Sequence, residues 1–245
     1  MKSIDESLPT PAVPDEIAEL TEGLAHEVKN LLAPFRLVLE MITRQVDDAR
    51  MQKLIGRLRG NADLATQLMD RLAEYGAATT VGNVFVPLGL EPFLREFVDT
   101  AEPATDAVAP LHLRLVQPLP EILGCADLIK IALANLVQNS RQAAAPGEPV
   151  EISAEPVITA GQTWVALSVR DHGPGLPAEL RTQMDRPFFT TKAGGRSFGL
   201  GLPTVRRVLQ AHRGELRIES APGQGTVVSL LFPTGPRPHL PHVTH

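Results

Sequence analysis

Ile17, Leu24, Leu31 and Val38 recur every seven residues, and Thr21, Val28, Phe35 and Ile42 fill the steps four residues after each. Alternating spacings of four and three lie on one stripe of an α-helix, the seam along which helices pack in bundles and coiled coils. Asp15, just after Pro14, suits the N-cap. The spacing predicts a helix from 15 to about 46, about 48 Å long. The pattern breaks at Asp47-Asp48 and resumes with Met51, Ile55, Leu58, Ala62, Ala65, Met69 and Leu72, widened by Leu54 and Leu68. Tyr75-Gly76 is the expected stop, since glycine favours helix ends. Residues 15–75 therefore read as a helical hairpin. One hairpin cannot bury both of its apolar stripes, but two hairpins about a two-fold axis can, as a four-helix bundle. A homodimer is expected.

The residues after the hairpin change character. Residues 76–83, GAATTVGN, are small and polar and read as a linker. Residues 84–233 mix periods: helices are expected near 90–101, 126–144 and 199–212. Strands are expected near 84–86, 111–116, 149–157, 163–170, 214–220 and 225–232. The strand TWVALSVR and the closing pair, with a turn at Pro222-Gly223, look antiparallel. An α+β unit with helices on one face of a mostly antiparallel sheet follows. The lead-in 1–14, with Pro9, Pro11 and Pro14, and the tail 234–245 have little that could pack and read as disordered.

Composition narrows the function. Of 245 residues, 43% are hydrophobic and 21% charged, which is the balance of a packed globular chain. Aromatics are 4%, too few for stacking platforms, and a net charge of −5 gives no electrostatic reason for a polyanionic partner. Nucleic acid is not expected. Cys125 is the lone cysteine, so no intrachain disulfide can form, and it reads as a small core residue. No apolar run approaches the ~20 residues of a membrane span, and the polar, acidic start does not resemble a signal peptide. The expected compartment is the cytosol.

Four groups of residues carry chemistry. In His26-Glu27-Val28-Lys29-Asn30, the histidine points about 160° away from seam residues Leu24 and Val28. Asn30 lies one turn further along nearly the same face. An outward imidazole beside a carboxylate can act as a nucleophile with a base. A zinc-protease helix would need a second histidine where Asn30 stands, so that reading fails. In a second group, Asn135 and Asn139 place two amides on one face of an otherwise apolar helix, where an amide oxygen can be a hard ligand for Mg²⁺. A third, Asp171-His172-Gly173-Pro174-Gly175, sets a carboxylate at a tight turn after a strand. Such a carboxylate can accept a hydrogen bond from an exocyclic amine, as of adenine. The fourth runs from Pro187 to Gly214, with Gly194, Gly195, Gly199 and Gly201 leading into a helix whose N–H groups can meet phosphate. Lys192 and Arg196 add positive charge there.

In this order, H-E-x-x-N, N-x-x-x-N, D-x-G-x-G, F-F-T-T-K and G-L-G-L resemble the H, N, G1, F and G2 boxes of the sensor histidine kinases of two-component systems. The closing GTVVSLLFP is similar to that family's last strand, and the likeness runs over about residues 15–233. The H-box resembles the nitrogen-regulation type. The resemblance implies a dimeric helical hairpin followed by an α/β sandwich ATPase domain, with ATP and Mg²⁺ as cofactors and a response regulator receiver domain as partner. It implies His26 as phosphoacceptor, Glu27 as general base and Asn30 as the residue that orients a hydrolytic water on a phosphorylated regulator. Asn139 would hold Mg²⁺ with Asn135 beside it. Asp171 would bind the adenine amino group in a pocket shaped by Gly173 and Gly175. Phe188 and Phe189 would position the lid, Gly199, Leu200 and Gly201 would meet the phosphates, and Lys192 would be a further phosphate contact. The chain departs from the pattern at Leu31, in place of a proline, at Gln142, in place of a basic residue, and at Ser197, in place of a glycine. The alternative is a degenerate kinase that serves as a regulator-binding adaptor with little ATP chemistry.

Overall fold

The computed structural model describes residues 15–77, 84–101, 109–145, 147–177, 180, 183–184, 186–190 and 198–235. The expected lead-in 1–14, the linker beyond residue 77, most of the tail and Lys192 lie outside these residues.

Helix α1 (Asp15–Thr43) and helix α2 (Ala49–Ala77) form the hairpin. α1 ends three residues short of the expected 46, in a turn where the Gln45 amide bonds the Ile42 carbonyl (3.0 Å). Asp48 starts α2 as an N-terminal cap, its Oδ1 accepting the Met51 N–H at 2.8 Å. At the far end α2 runs through Gly76, which is buried inside the last turn rather than terminating it. Burial there outweighs the poor helix propensity of glycine.

Ion pairs set the helix register: Lys29 with Asp70, and Arg36 with Asp63 at 3.1 Å. A step of seven up α1 matches a step of seven back along α2, which brings His26 level with Ala73. Among the described residues, the buried hydrophobic ones of the hairpin are Ala25, Leu39, Ile55 and Ala62. The stripe read as the seam is a different one. Leu24, Leu31 and Val38 remain 56%, 74% and 50% exposed, so α1 packs on α2 through the neighbouring row and leaves its broader apolar face uncovered.

The remaining elements are β1 (Val86–Leu88), α3 (Leu90–Ala101), β2 (Leu111–Leu115), β3 (Ile122–Gly124), α4 (Ala126–Ala143), β4 (Val150–Thr159), β5 (Gln162–Asp171), α5 (Gly201–Ala211), β6 (Glu215–Ser220) and β7 (Thr226–Pro233). Five strands form one sheet in the order β2-β4-β5-β7-β6, antiparallel except for β2 against β4. β1 and β3 make a separate antiparallel pair. The sequence does not predict β3, because three residues are too few to display a period.

α4 and α5 cover the sheet. Ile129 and Leu133 of α4, Val205 and Val208 of α5, and Ile152, Val165, Leu167 and Leu230 of the sheet are fully buried in one core. His212, just past α5, meets Phe85 at a tilt of 58° and Phe232 edge-on. Its Nε2 accepts the Cys125 N–H at 3.0 Å, and its Nδ1 lies 2.7 Å from the Val208 carbonyl. Nδ1 therefore carries the hydrogen. This ring ties the end of α5 to the start of α4, and so fixes the opposite end of α5 against the middle of α4.

Candidate active site

β5 ends at Asp171, whose carboxylate is 4% exposed. Its Oδ1 accepts the Gly173 N–H at 3.0 Å, closing the turn that the D-x-G spacing predicts. Gly175 has φ +67°, and a Cβ there would stand 1.9 Å from the Ala221 carbonyl oxygen. Only glycine lets this loop pass so close to the neighbouring turn. The Gly223 amide bonds the Pro174 carbonyl (2.7 Å), so the loop after β5 is held by the turn before β7.

Asp171 borders a cavity of about 320 Å³. Its walls are largely apolar, from Leu136, Leu176, Met184, Leu202 and Val228, with Asp171, Asn139, Ser140, Gln142, Thr190 and Thr226 as polar groups. A buried carboxylate acceptor in an apolar slot suits the amino edge of a flat heterocycle such as adenine. Thr226, Met184, Leu176 and Ser140 are missing from the sequence reading. Thr226 pairs with Asp171 across β5 and β7, but its residue type is ordinary for a strand. Only the preceding Gly225, at φ +73° with a would-be Cβ 2.0 Å from the Asp171 carbonyl oxygen, marks the crossing.

At the other end of this cavity lies the start of α5. Leu200 supplies no side-chain cap, and Pro203 has no N–H, so the first-turn amides of Gly201 and Leu202 face the cavity region. A Cβ on Gly201 would lie 3.2 Å from Asn135 Oδ1 and 3.4 Å from Asn139 Nδ2, so the two expected amides meet this helix start directly. Gly199 has φ +64°, and its carbonyl accepts the Phe188 N–H at 3.0 Å. That bond joins the F-F-T-T segment to the glycine segment. Phe189 lines the cavity; Phe188 is 65% exposed and does not. Arg141 turns away to the Ala101 and Ala109 carbonyls (3.1 and 3.0 Å), while Gln142 faces the cavity.

A second, larger cavity of about 690 Å³ continues from the first across Asn139, Gln142 and Gly201 to the hairpin. The hairpin contributes Lys29, Asp70, Arg71 and Glu74 to its lining. His26, Glu27 and Asn30 are exposed on α1 at this level and are not themselves in the nucleotide-sized cavity. The structure thus gathers Asn135, Asn139, Asp171, Gly175, Gly199, Leu200 and Gly201 in one place and leaves the histidine group on a separate surface. Among the described residues no group of three His, Cys, Asp or Glu could hold a metal. Beside α5 the Asn135 oxygen accepts from Arg71 (2.9 Å), which leaves the Asn139 amide as the asparagine oxygen open to a cation. An amide next to free helix N–H groups fits a Mg²⁺–polyphosphate, whose own oxygens complete the coordination. No described helix is long and apolar enough to cross a membrane.

Comparison with known proteins bears on the fold that carries this site. Residues 124–236 match the family of histidine kinase-, DNA gyrase B-, and HSP90-like ATPases. The chain is 28% identical over 228 residues to the signal transduction histidine-protein kinase AtoS of Escherichia coli K12, covering 90% of this chain and 35% of that protein. It is 30% identical over 223 residues to sporulation kinase C of Bacillus subtilis, covering 88% and 49%. It is 27% identical over 227 residues to the sensory histidine kinase/phosphatase NtrB of Escherichia coli O157:H7, covering 88% and 62%. The chain therefore spans between about a third and three fifths of the length of these curated relatives. Full-length ShkA, solved in complex with AMPPNP, has the same fold with a TM-score of 0.68 at 23% identity, over 91% of this chain and 46% of that one. The catalytic domain of the histidine kinase ThkA matches with a TM-score of 0.50 at 25% identity, over 61% and 95%. A helical hairpin ahead of a matched ATPase domain, with the likeness running over both, makes this chain similar to the sensor histidine kinases of two-component systems.

Proposed function

We propose that this chain binds ATP in the Asp171 cavity, phosphorylates itself on His26, and passes the phosphoryl group to an aspartate of a response regulator. The observation that carries this reading is the path of the two joined cavities. It leads from the buried Asp171 carboxylate, past the open N-terminus of α5 and the Asn135–Asn139 pair, to the hairpin at the height of His26. ATP supplies the phosphoryl group, and Mg²⁺ when bound neutralises its charge.

Asp171 accepts from the adenine amine and so sets which base enters. The Gly201 and Leu202 amides and Asn139 orient the phosphate chain. A nitrogen of the exposed His26 ring then forms a bond to the γ-phosphorus as the bond from that phosphorus to the ADP oxygen breaks. Glu27 takes the ring proton. In the second transfer the N–P bond breaks as an aspartate oxygen of the regulator attacks. Asn30, one turn from His26 on the same exposed surface, positions a water when the regulator's acyl phosphate is hydrolysed. The chain acts as a homodimer in the cytosol, with the uncovered stripe of α1 as its joint.

Purified protein, Mg²⁺ and γ-labelled ATP test this. The expected label is acid-labile and base-stable, and it is absent from His26→Ala and from Asn139→Ala. Bound nucleotide with no label would sink the kinase reading in favour of the adaptor. Label that survives His26→Ala would mean a different acceptor.

A further inference from the structure

We propose that Arg71 and Glu74 of α2 are positioning residues that hold the nucleotide domain on the hairpin at the height of His26, by gripping the amide of Asn135. The proposal rests on the kinase reading above for its functional consequence. The contacts themselves do not depend on that reading.

Asn135 is 3% exposed on α4 and so requires partners for both ends of its amide. Arg71 Nη1 donates to Asn135 Oδ1 at 2.9 Å and also meets Glu74 Oε2 at 2.7 Å. Asn135 Nδ2 donates to that same Glu74 oxygen at 3.4 Å and to the Ile131 carbonyl at 2.9 Å. Arg71 Nη2 donates to Gln138 Oε1, one turn along α4. One ion pair of the hairpin therefore holds the oxygen and the nitrogen of one amide of the domain. The guanidinium spreads over Asn135 and Gln138, as its planar fork allows.

A second contact continues the seam. Tyr75 accepts from Arg207 Nη1 through its carbonyl (3.3 Å), and its ring lies 3.6 Å from the Arg207 guanidinium carbon. Positions 71, 74 and 75 share one face of α2, and this face presents the grip to α4 and α5.

The location gives the grip its meaning. Arg71 and Glu74 bracket Ala73, which the ion-pair register sets level with His26. Asn135 lies against Gly201 at the helix start proposed to meet phosphate. Among the described residues lining the shared cavity, those from the nucleotide domain are uncharged, and Lys29, Asp70, Arg71 and Glu74 of the hairpin supply all the charge. The hairpin thus holds the domain by a residue of the nucleotide site itself. Docked position and site geometry are set by the same contact.

The test uses the full chain. Arg71→Ala should lower the rate of His26 labelling at saturating Mg²⁺–ATP about 10- to 100-fold, the size of effect seen when reacting groups are misplaced by about an ångström. Affinity for a fluorescent ATP analogue should stay within about twofold, because nucleotide contacts remain. The radius of gyration from small-angle scattering should rise as the domain comes off the hairpin. Arg71→Lys should recover only part of the rate, having lost the fork. Arg71→Glu with Glu74→Arg should recover more than either single change, since the Asn135 amide can turn over to meet the exchanged pair. An unchanged or raised rate in Arg71→Ala would overturn the proposal. So would a loss cured by more ATP, which would make Arg71 a nucleotide contact. An unlabelled wild-type protein would defeat the kinase reading alone. The scattering comparison would still decide the grip, since an unchanged radius in Arg71→Ala overturns it.

Discussion

Gly175 and Asp171 sit four residues apart, and the same loop places opposite demands on them. Gly175→Ala forces a Cβ into the Ala221 carbonyl at φ +67°. Backbone strain and overpacking together should cost about 2–6 kcal/mol. Thermal denaturation should show a fall of several degrees or more, since about 1 kcal/mol moves the midpoint of a domain this size by ~2–4 °C. A melting point equal to wild type would contradict the loop geometry. Asp171→Ala removes the acceptor that faces the cavity and leaves the Gly173 N–H unpaired. ATP affinity, measured by titration calorimetry, should fall about 10- to 100-fold, as for loss of a hydrogen bond to a charged group. Affinity preserved in that variant would move the base elsewhere. Both residues are legible in the sequence only through the order of the five motifs, because D-x-G-x-G by itself also fits an ordinary Gly-Pro-Gly turn. Thr226 is not, since a threonine opening a strand looks the same whether it borders a ligand or only a neighbouring strand. Arg71 is not legible either: on a helix, an arginine followed at three residues by a glutamate is the usual pattern of a solvated surface pair.

Among the elements, α1 is the one whose pattern is read correctly but does not name its partner. The seven-residue repeat through Leu24, Leu31 and Val38 is a true apolar stripe, yet α2 packs against the row containing Ala25 and Leu39. A repeat says that a face must be covered, not which helix covers it. The core helices α4 and α5 and the long strands β4, β5 and β7 fall close to their expected spans because each buries one regular face over many residues. β3 spans three residues and has no face to display. The uncovered stripe yields its own prediction. Leu31→Glu changes an exposed residue, so the stability of the single hairpin should move by no more than about 0.5 kcal/mol. In a dimer joined along this stripe it would bury a charge without a partner. Sedimentation should therefore show the wild-type chain as a dimer and Leu31→Glu as a monomer at the same concentration. Two species of equal mass would place the joint elsewhere.

For the whole molecule, the docking of domain on hairpin predicts which histidine receives the phosphoryl group. In a four-helix bundle the nucleotide domain could serve the α1 of its own chain or that of its partner. The loop between α1 and α2 decides this by its hand, and its sequence does not declare the hand. The docked cavity supplies the prediction. Lys29 of the same chain lines the space that Asn139 and Gly201 border, and it lies on α1 one turn from His26. Asp70, which pairs with Lys29, belongs to the same α2 as Arg71 and Glu74, so the helix face that holds the domain also meets the α1 that carries His26. Transfer should then run within a chain. Mixed dimers of His26→Ala chains with Asn139→Ala chains separate the two routes. One chain keeps a working nucleotide site but no acceptor, and the other keeps His26 but no working site. Transfer within a chain leaves such dimers unlabelled, at the background of either parent. Transfer between chains labels the Asn139→Ala chain, up to about half of the wild-type amount, because one of the two acceptors remains served. Label on that chain would mean that the nucleotide domain leaves its own hairpin before transfer. The grip of Arg71 and Glu74 would then have to open in every cycle, and Arg71→Ala would speed the reaction where docking in place predicts that it slows.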